Sequence, residues 1–270
     1  MNIRIAILDM NNNTPNKGLG YIKDLVENYP GVSYYQVFDV RAKTEVPDTS
    51  FDIYISSGGP GSPWEMDGWE KKYFHLLDQL REHNLQNEVP KKYVFFICHS
   101  FQVACIYFKI GEVSKREHMS FGIYPFSKTQ DGAQDPVFSM LPEPFFAADF
   151  RHWQVVQPDM AYLQEIGSNI LALELADDDQ ADRALMSVRF TDEMVGTQFH
   201  PEADDKGMLQ YLQEDERRFR IIEDFGMDRY LDMLEHLNDP DKIALTYRTI
   251  LPGFLEQSIR ELREPALAEA

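Results

Sequence analysis

The stretch Tyr93-Val94-Phe95-Phe96-Ile97-Cys98 decides the fold of this chain. An unbroken apolar run of this length is typical of a short strand that is buried on both faces of a parallel sheet. Cys98 closes the run, and residues 99–109 have the spacing of a helix. The sequence therefore predicts a strand, a sharp corner at Cys98 and a helix. The thiol would then lie at the carboxyl end of a strand, where α/β sheets bind ligands.

Two further apolar runs, at residues 3–8 and 51–55, lie upstream and are each followed by turn residues and an amphipathic stretch. Short buried strands that alternate with helices indicate a parallel sheet with right-handed crossovers. Residues 64–83 have apolar side chains on one helical face and predict the helix between the second and third strands. We therefore expect an α/β fold, a three-layer, mostly parallel sheet flanked by helices.

The middle of the chain has a different pattern. Residues 121–190 hold many short β-like segments separated by proline, glycine and aspartate, which suits an antiparallel edge region added to the parallel sheet. Residues 186–190 and 194–199 predict a hairpin that ends at His200.

Beyond Glu202 the pattern is helical. Helices are predicted at residues 208–219, 227–237 and 241–262. Pro252-Gly253 is expected to kink or split the last of them. We expect one domain at residues 1–205 and a C-terminal helical extension at 206–270 that packs on it.

Charge and composition narrow the class of protein. Acidic residues outnumber basic ones by 45 to 26 and give a net charge of −19, which argues against nucleic acid as a partner, because phosphate binding needs clustered lysine and arginine. No apolar run approaches the roughly 20 residues of a membrane helix, and the N-terminus has the pattern of a strand, not of a signal peptide. The two cysteines do not make a disulfide framework. A cytoplasmic protein is expected.

The first of three segments that carry chemistry is the corner at Cys98. The start of the following helix would place positive potential on the sulfur, which favours the reactive thiolate. The alternative is a buried and inert cysteine, which is the commoner state of this residue. Cys105 lies inside the predicted helix, where core packing is expected.

The second segment is Ser57-Gly58-Gly59-Pro60, directly after the second strand. Paired glycines let the backbone turn and present N–H groups that can hold an oxyanion. A plain tight turn is the alternative. A Walker phosphate loop is rejected, because Pro63-Trp64 stands where that loop has lysine followed by serine or threonine.

The third segment, His200-Pro201-Glu202, ends the predicted hairpin. Together with Cys98 it supplies the residue types of a nucleophilic triad, in which His200 carries the proton and Glu202 orients the imidazole. A structural histidine is one alternative. A metal site is weakly supported, because no second histidine or cysteine stands nearby at ligand spacing. The three segments predict acyl-transfer chemistry on an amide, with no metal.

These segments resemble the class I glutamine amidotransferases, the Cys-His-Glu family that hydrolyses glutamine to supply ammonia, and especially the glutaminase domain of GMP synthetase. Ser57-Gly58-Gly59-Pro60 resembles the oxyanion loop of that family. Residues 97–102 resemble its nucleophile segment, and residues 196–202 its His-Pro-Glu segment. The resemblance covers residues 1–205 and implies a flavodoxin-like sheet and no cofactor.

The resemblance also implies a role for each matching residue. The implied catalytic residues are Cys98, His200 and Glu202, the oxyanion donors Gly59 and His99, and the substrate-binding residues Gln102, Gly58 and His152. His152 could equally be an ordinary loop residue.

This chain departs from the family pattern around the nucleophile. The family has Gly-x-Cys-x-Gly, and here Phe96 and Ser100 stand in place of the two glycines. Phe101 replaces a histidine, and Ser120 replaces a glutamate two residues before Gly122. These changes are expected either to reshape the pocket or to mark a chain without activity.

The leading hypothesis is a glutamine amidotransferase-type hydrolase that forms a thioester on Cys98 and passes ammonia to an unknown acceptor or to a separate synthase subunit. One alternative is a catalytically silent binding or regulatory module on the same fold. Others are a hydrolase of another γ-glutamyl substrate and a cysteine hydrolase or peptidase with a different substrate. The expected partner is a small molecule, glutamine or a γ-glutamyl compound, and neither a nucleic acid nor a membrane.

Overall fold

The computed structural model describes residues 2–86, 90–175 and 182–268. Within these ranges nine strands form one sheet. In chain order they are β1 (Ile3–Asp9), β2 (Val32–Asp39), β3 (Ile53–Ser56), β4 (Tyr93–Ile97), β5 (Glu112–Lys128), β6 (Phe145–Val156), β7 (Asn169–Glu174), β8 (Leu185–Thr191) and β9 (Met194–Thr197).

The sheet has a parallel half and an antiparallel half. Its strand order is β2-β1-β3-β4-β9-β8-β7-β5-β6, and the first five of these pair in parallel. Strand β9 pairs in parallel with β4 and antiparallel with β8, so it joins the two halves. The α/β fold with an antiparallel edge region is confirmed, as is the hairpin that ends at His200.

Strand β2 is absent from the sequence prediction. It lies at the edge of the sheet, and most of its side chains are exposed or half-buried. An edge strand of this kind has no continuous apolar run to reveal it.

Ten helices accompany the sheet in the described ranges. They are α1 (Lys17–Asn28), α2 (Val40–Lys43), α3 (Trp69–Asn84), α4 (His99–Phe108), α5 (Gln130–Gln134), α6 (Met160–Ile166), α7 (Asp205–Gln213), α8 (Asp215–Phe225), α9 (Met227–Leu237) and α10 (Ile243–Ala268). None of the helices among the described residues has the length and apolar character to span a membrane.

Two predicted helix boundaries are wrong. Helix α3 begins at Trp69 and not at residue 64, because Gly68 has a φ of 114°, outside the helical region. The predicted helix over residues 208–219 is two helices, α7 and α8, because Glu214 between them has extended backbone. An apolar periodicity can continue across such a break and hide it.

Of the predicted kink or split of the last helix at Pro252-Gly253, the split is wrong, since α10 runs through both residues. A proline inside a helix costs about 3 kcal/mol. Burial of an aliphatic or aromatic side chain stabilises by about 1.5–3 kcal/mol, and α10 buries several next to Pro252, namely Ile250, Leu251, Phe254 and Leu255. The burial therefore outweighs the proline.

Helix α10 shares a hydrophobic core with the parallel strands. Phe254 packs edge-on against Phe95 of β4 with ring centroids 5.1 Å apart, and both belong to the same buried cluster. The Tyr29 hydroxyl of the α1 end donates to the Pro252 carbonyl at 2.9 Å. The predicted domain boundary at residue 205 stays a prediction. Helix α10 lies after this boundary and contributes to the core of the domain before it.

The side chain of Phe96 occupies space that Gly196 leaves open. The two residues are register partners on β4 and β9. A Cβ on Gly196 would lie 2.9 Å from the Phe96 Cβ and 3.0 Å from Cδ2 of Phe101. Phe96 is fully buried and its ring packs edge-on against Phe190, with centroids 5.6 Å apart. The departure from the family's glycine is therefore accommodated inside the core.

Gly196→Ala is expected to lower the free energy of unfolding by about 1–3 kcal/mol, the usual cost of overpacking, because the new methyl group would press on Phe96 and Phe101. Urea denaturation measures the difference. Gly20→Ala is the matched control, since no atom lies within 4 Å of the added Cβ there. The control should be about 0.5–1 kcal/mol more stable than the wild type. Equal stability of Gly196→Ala and the wild type would contradict this packing.

Candidate active site

Cys98 forms a strained corner between β4 and α4. Its φ is 48° and its ψ is −99°, outside the regions that non-glycine residues usually occupy. The backbone is held there by the Cys98 N–H, which donates to the Thr197 carbonyl at 2.8 Å. The Ser100 hydroxyl accepts from the Ile97 N–H at 2.8 Å and lies 2.7 Å from the Ser56 carbonyl, to which it donates. Ser100 therefore ties the corner to β3 where the family has glycine.

His200 and Glu202 lie beside the sulfur. His200 follows β9, and its N–H donates to the Ala148 carbonyl of β6 at 2.9 Å. Nδ1 of His200 lies 2.8 Å from Oε1 of Glu202, and His200 and Cys98 line the same cavity. A Cβ added to Gly58 would touch both partners, 3.0 Å from Cε1 of His200 and 3.6 Å from Cβ of Cys98.

The surroundings of the His200 imidazole favour its charged form. Burial alone would lower its pKa, but the charges of Glu202 and Cys98 and the hydrogen bond to Glu202 raise the pKa well above its usual value. A charged imidazolium next to a sulfur can stabilise a thiolate and can give its proton to a leaving group.

The glycine-rich loop is packed against the end of β1. A Cβ on Gly59 would lie 2.1 Å from the Met10 carbonyl oxygen, so only glycine fits there. Nη1 of Arg41 donates to the Met10 carbonyl at 3.1 Å and to the Pro60 carbonyl at 2.6 Å. The Met10 N–H donates to Oγ of Ser57 at 3.0 Å. These contacts hold Gly59 at the edge of the cavity that contains Cys98.

The ring of His99 does not line the cavity, so only its backbone N–H could serve as the predicted oxyanion donor. The ring is buried and neither of its nitrogens has a hydrogen-bond partner within the described residues. Burial and the nearby charge of Arg41 lower the pKa of the imidazole to about 3, so it is neutral. Its N–H begins α4, where a helix has no internal acceptor for it.

Gln102 lies behind the site and does not line the cavity. Its Nε2 donates to Oε1 of Gln198 at 3.1 Å and to the Trp153 carbonyl at 3.3 Å. Nε2 of Gln198 in turn lies 3.8 Å from the Cys98 sulfur. The sequence alone assigned no role to Gln198, although it stands two residues before His200 in the segment at residues 196–202.

His152 lies outside the cavity. It is exposed on β6, whereas Phe150 two residues earlier lines the cavity wall. Between them Arg151 is buried and forms ion pairs with Asp149 at 2.9 Å and Glu174 at 3.1 Å. Of the residues predicted to bind substrate, the structure brings Gly58 against Cys98 and His200, but it brings neither Gln102 nor His152 into the cavity.

The cavity has a volume of about 710 Å³ and extends well past the catalytic corner. One part of the lining comes from the loop after β1 and the first turns of α1, at residues 14–18 and Tyr21. An adjoining part comes from α7, α8 and α9, whose lining residues are Met208, Tyr211, Leu212, Arg217 and Met233. Among the described residues no group of three or more His, Cys, Asp or Glu is placed to hold a metal ion.

The sequence model of the class I glutamine amidotransferases matches residues 21–216 of this chain. The chain belongs to that family. The match covers most of the chain and includes the Cys98 corner, the glycine-rich loop and the His200 segment. No curated protein is similar enough in sequence to count as a match.

Solved structures of amidotransferases share the fold at low sequence identity. A glutamine amidotransferase from Thermotoga maritima is 16% identical over 96% of this chain and 99% of its own, with a TM-score of 0.69. One from Methylobacillus flagellatus is 14% identical over 96% and 94%, with a TM-score of 0.64. A putative GMP synthase subunit from Thermoplasma acidophilum is 14% identical over 100% and 98%, with a TM-score of 0.55.

Glu202→Gln is expected to lower the pKa of His200, because it removes the negative charge that lies 2.8 Å from the ring. NMR titration of the His200 ring protons measures this shift. Glu214→Gln is the matched control, since Glu214 pairs with Lys17 and not with His200. An unchanged His200 titration in Glu202→Gln would contradict the ion pair.

The same ion pair makes stability depend on pH. The folded-state pKa of His200 is raised above the unfolded value of about 6.5, so its contribution is fully present below that value and is lost as pH rises through the folded-state pKa. Urea denaturation should therefore find that Glu202→Gln loses most stability relative to the wild type at about pH 6 and loses less at alkaline pH.

Proposed function

We propose that this chain hydrolyses the side-chain amide of glutamine, or of a related γ-glutamyl compound, through a thioester on Cys98. The observation that carries the proposal is the arrangement of three side chains around one cavity. A Cβ on Gly58 would touch both Cys98 and the His200 ring, and Glu202 binds that ring at 2.8 Å. Cys98, His200 and Glu202 all line the same cavity.

In the first step the Cys98 thiolate attacks the amide carbon, and a C–S bond forms. The N–H groups of Gly59 and His99 bind the oxyanion, each contributing on the order of 3 kcal/mol. Protonated His200 gives its proton to the amide nitrogen as the C–N bond breaks. The amine leaves, and a γ-glutamyl thioester remains on Cys98.

In the second step His200, now neutral, accepts a proton from water while the water oxygen attacks the thioester carbon. The C–S bond breaks, glutamate leaves and the thiolate is restored. Glu202 keeps the imidazole in one orientation during both steps and stabilises its charged form. No step uses a metal or a cofactor.

We propose that the ammonia passes to a separate synthase subunit. Residues 206–268 form helices and loops. Support comes from the similarity to the putative GMP synthase subunit of Thermoplasma acidophilum. Hydrolysis without transfer of the ammonia to a synthase is a second candidate. It is favoured by helices α7–α9, which form part of the cavity lining.

A silent binding module is less well supported than an enzyme. The reason to consider such a module is Phe96, which stands in place of the family's glycine beside the nucleophile. The Phe96 side chain is fully buried in the core and does not line the cavity. The aromatic ring therefore does not fill the space beside Cys98, and the strained backbone of the corner is retained.

Cys98→Ala is expected to abolish glutamate release from glutamine, because it removes the nucleophile. Cys105→Ala is the matched control and should keep most of the activity, since Cys105 is buried in α4 and burial raises the pKa of its thiol well above the usual value. A diazo-ketone analogue of glutamine should label Cys98 and leave Cys105 unmodified. Undiminished turnover by Cys98→Ala would end the proposal.

A further inference from the structure

The Cys98 sulfur has a hydrogen-bond donor on the side away from the cavity. Nε2 of Gln198 lies 3.8 Å from the sulfur, a hydrogen-bonding distance for so large an acceptor. Cys98 lines the cavity, whereas Gln198 does not line it and is fully buried. The amide therefore contacts the sulfur from the core and leaves the cavity side open to a substrate carbon.

A chain of hydrogen bonds fixes which end of the Gln198 amide faces the sulfur. One side-chain atom of Gln102 lies 3.3 Å from the Trp153 carbonyl, and a carbonyl only accepts, so this atom is the nitrogen Nε2. The same nitrogen lies 3.1 Å from the Gln198 side chain and donates there too, which makes the contacted atom Oε1. The end of the Gln198 amide that remains for the sulfur is therefore its N–H group.

The backbone holds both amides in place. Gln198 directly follows β9, and its backbone N–H donates to the Met186 carbonyl of β8 at 2.9 Å. Gln102 lies in the first turn of α4, and its backbone N–H donates to the Cys98 carbonyl at 3.0 Å. Both side chains are buried. A buried amide without a hydrogen bond is costly, so each side chain is held against its partner.

The titratable groups around the sulfur favour a negative charge on it. Burial lowers the pKa of His200, and the charges of Glu202 and then of Cys98 raise it. Burial also lowers the pKa of Arg151 on β6, whereas its two ion pairs and the charge of Cys98 raise it. His99, the next residue in the chain, is neutral, with a pKa that burial lowers to about 3. Positive charges thus act on the sulfur from two elements, and the buried amide supplies a hydrogen bond to it.

From these contacts we propose that Gln198 is a further catalytic residue, whose side-chain N–H binds the Cys98 sulfur and stabilises its thiolate, and that Gln102 is a positioning residue that orients Gln198. The inference rests on the proposed function, because it concerns the same nucleophile. The N–H group stabilises the thiolate before it attacks the amide carbon. It does so again when the C–S bond of the thioester breaks and the electron pair returns to the sulfur. Hydrogen bonds to charged acceptors are the stronger ones, so the neutral thioester gains less than the thiolate.

Alkylation measures the thiolate without any need for turnover. Iodoacetamide reacts with the thiolate and not with the thiol, so the rate of Cys98 alkylation against pH has a midpoint that reports ionisation. The measurement uses Cys105→Ala protein, because Cys98 is then the one cysteine in the chain. Gln198→Leu in this protein should move the midpoint upward by about one pH unit, the lower end of the value of a hydrogen bond to a charged group.

A double-mutant cycle tests the role of Gln102. Gln102→Leu should move the midpoint in the same direction but by less, because the Gln198 amide loses its partner and keeps its N–H groups. The double variant Gln102→Leu with Gln198→Leu should match Gln198→Leu alone, since Gln102 acts only through Gln198. The double variant also replaces both members of a buried hydrogen bond by apolar side chains, which is the least costly way to remove it. It therefore separates the effect on the sulfur from misfolding.

Ser187→Ala is the matched control. The Ser187 hydroxyl is buried on β8 and donates to the Gly196 carbonyl of β9 at 2.8 Å. Its removal takes away a buried hydrogen bond two residues from Gln198 that does not involve the sulfur. The alkylation profile of Ser187→Ala should match that of the Cys105→Ala parent.

The pH dependence of turnover separates a catalytic role of Gln198 from a structural one. For glutamine, kcat/KM of Gln198→Leu should fall about tenfold at a pH below the midpoint, because the thiolate fraction falls by that factor. The difference from the wild type should narrow at alkaline pH, where the thiolate forms without the hydrogen bond. A purely structural role would lower kcat/KM by the same factor at every pH.

Three results would overturn the inference. They are an unchanged alkylation profile in Gln198→Leu, an equal shift in Ser187→Ala, and a double variant shifted by the sum of its two single variants, which would mean that Gln102 acts on the sulfur independently. Glutamate release by the wild type together with an unchanged profile in Gln198→Leu would refute this inference and leave the proposed function intact. A profile that shifts as expected in a protein that releases no glutamate would refute the proposed function and the catalytic role together.

Discussion

The pairing of β4 with β9 is the constraint on which the rest of the structure depends. Cys98 and His200 are far apart in the chain, and the parallel register of Ile97 with Thr197 brings the ends of their two strands together. The Cys98 N–H bond to the Thr197 carbonyl continues this register by one residue and holds the strained corner. A slip of one residue would turn every side chain of β9 to the opposite face of the sheet.

Buried charges around this junction are stabilised by specific partners. Burial of an unpaired charge is costly, and the usual compensation is a hydrogen-bonded ion of opposite sign. Glu202 fulfils this role for His200, and Asp149 and Glu174 do so for Arg151 on the neighbouring strand β6. The charge of Glu202 raises the pKa of the His200 imidazole.

The C-terminal helices serve both the core and the cavity. Helix α10 packs on the parallel strands, with Phe254 against Phe95. Helices α7–α9 complete a wall of the cavity with Met208, Tyr211 and Met233. The helices that follow the His200 segment therefore decide how large a molecule can reach the sulfur. This arrangement links the reach of the substrate to a part of the chain that carries none of the proposed catalytic residues.

The amino-acid sequence by itself determined the buried parallel strands β1, β3 and β4, the β8–β9 hairpin, the family and the segments at the strand ends, because continuous apolar runs and short motifs are local signals. It could not reveal β2, whose edge position leaves no apolar run, or the continuity of α10 through Pro252, which depends on burial against the sheet. It could not place His152, because only the pairing of β6 decides which side chains face the cavity. The extent of the cavity is a property of the tertiary structure alone, because α1 and α7–α9 are far apart in the chain and only the fold brings them to the same cavity.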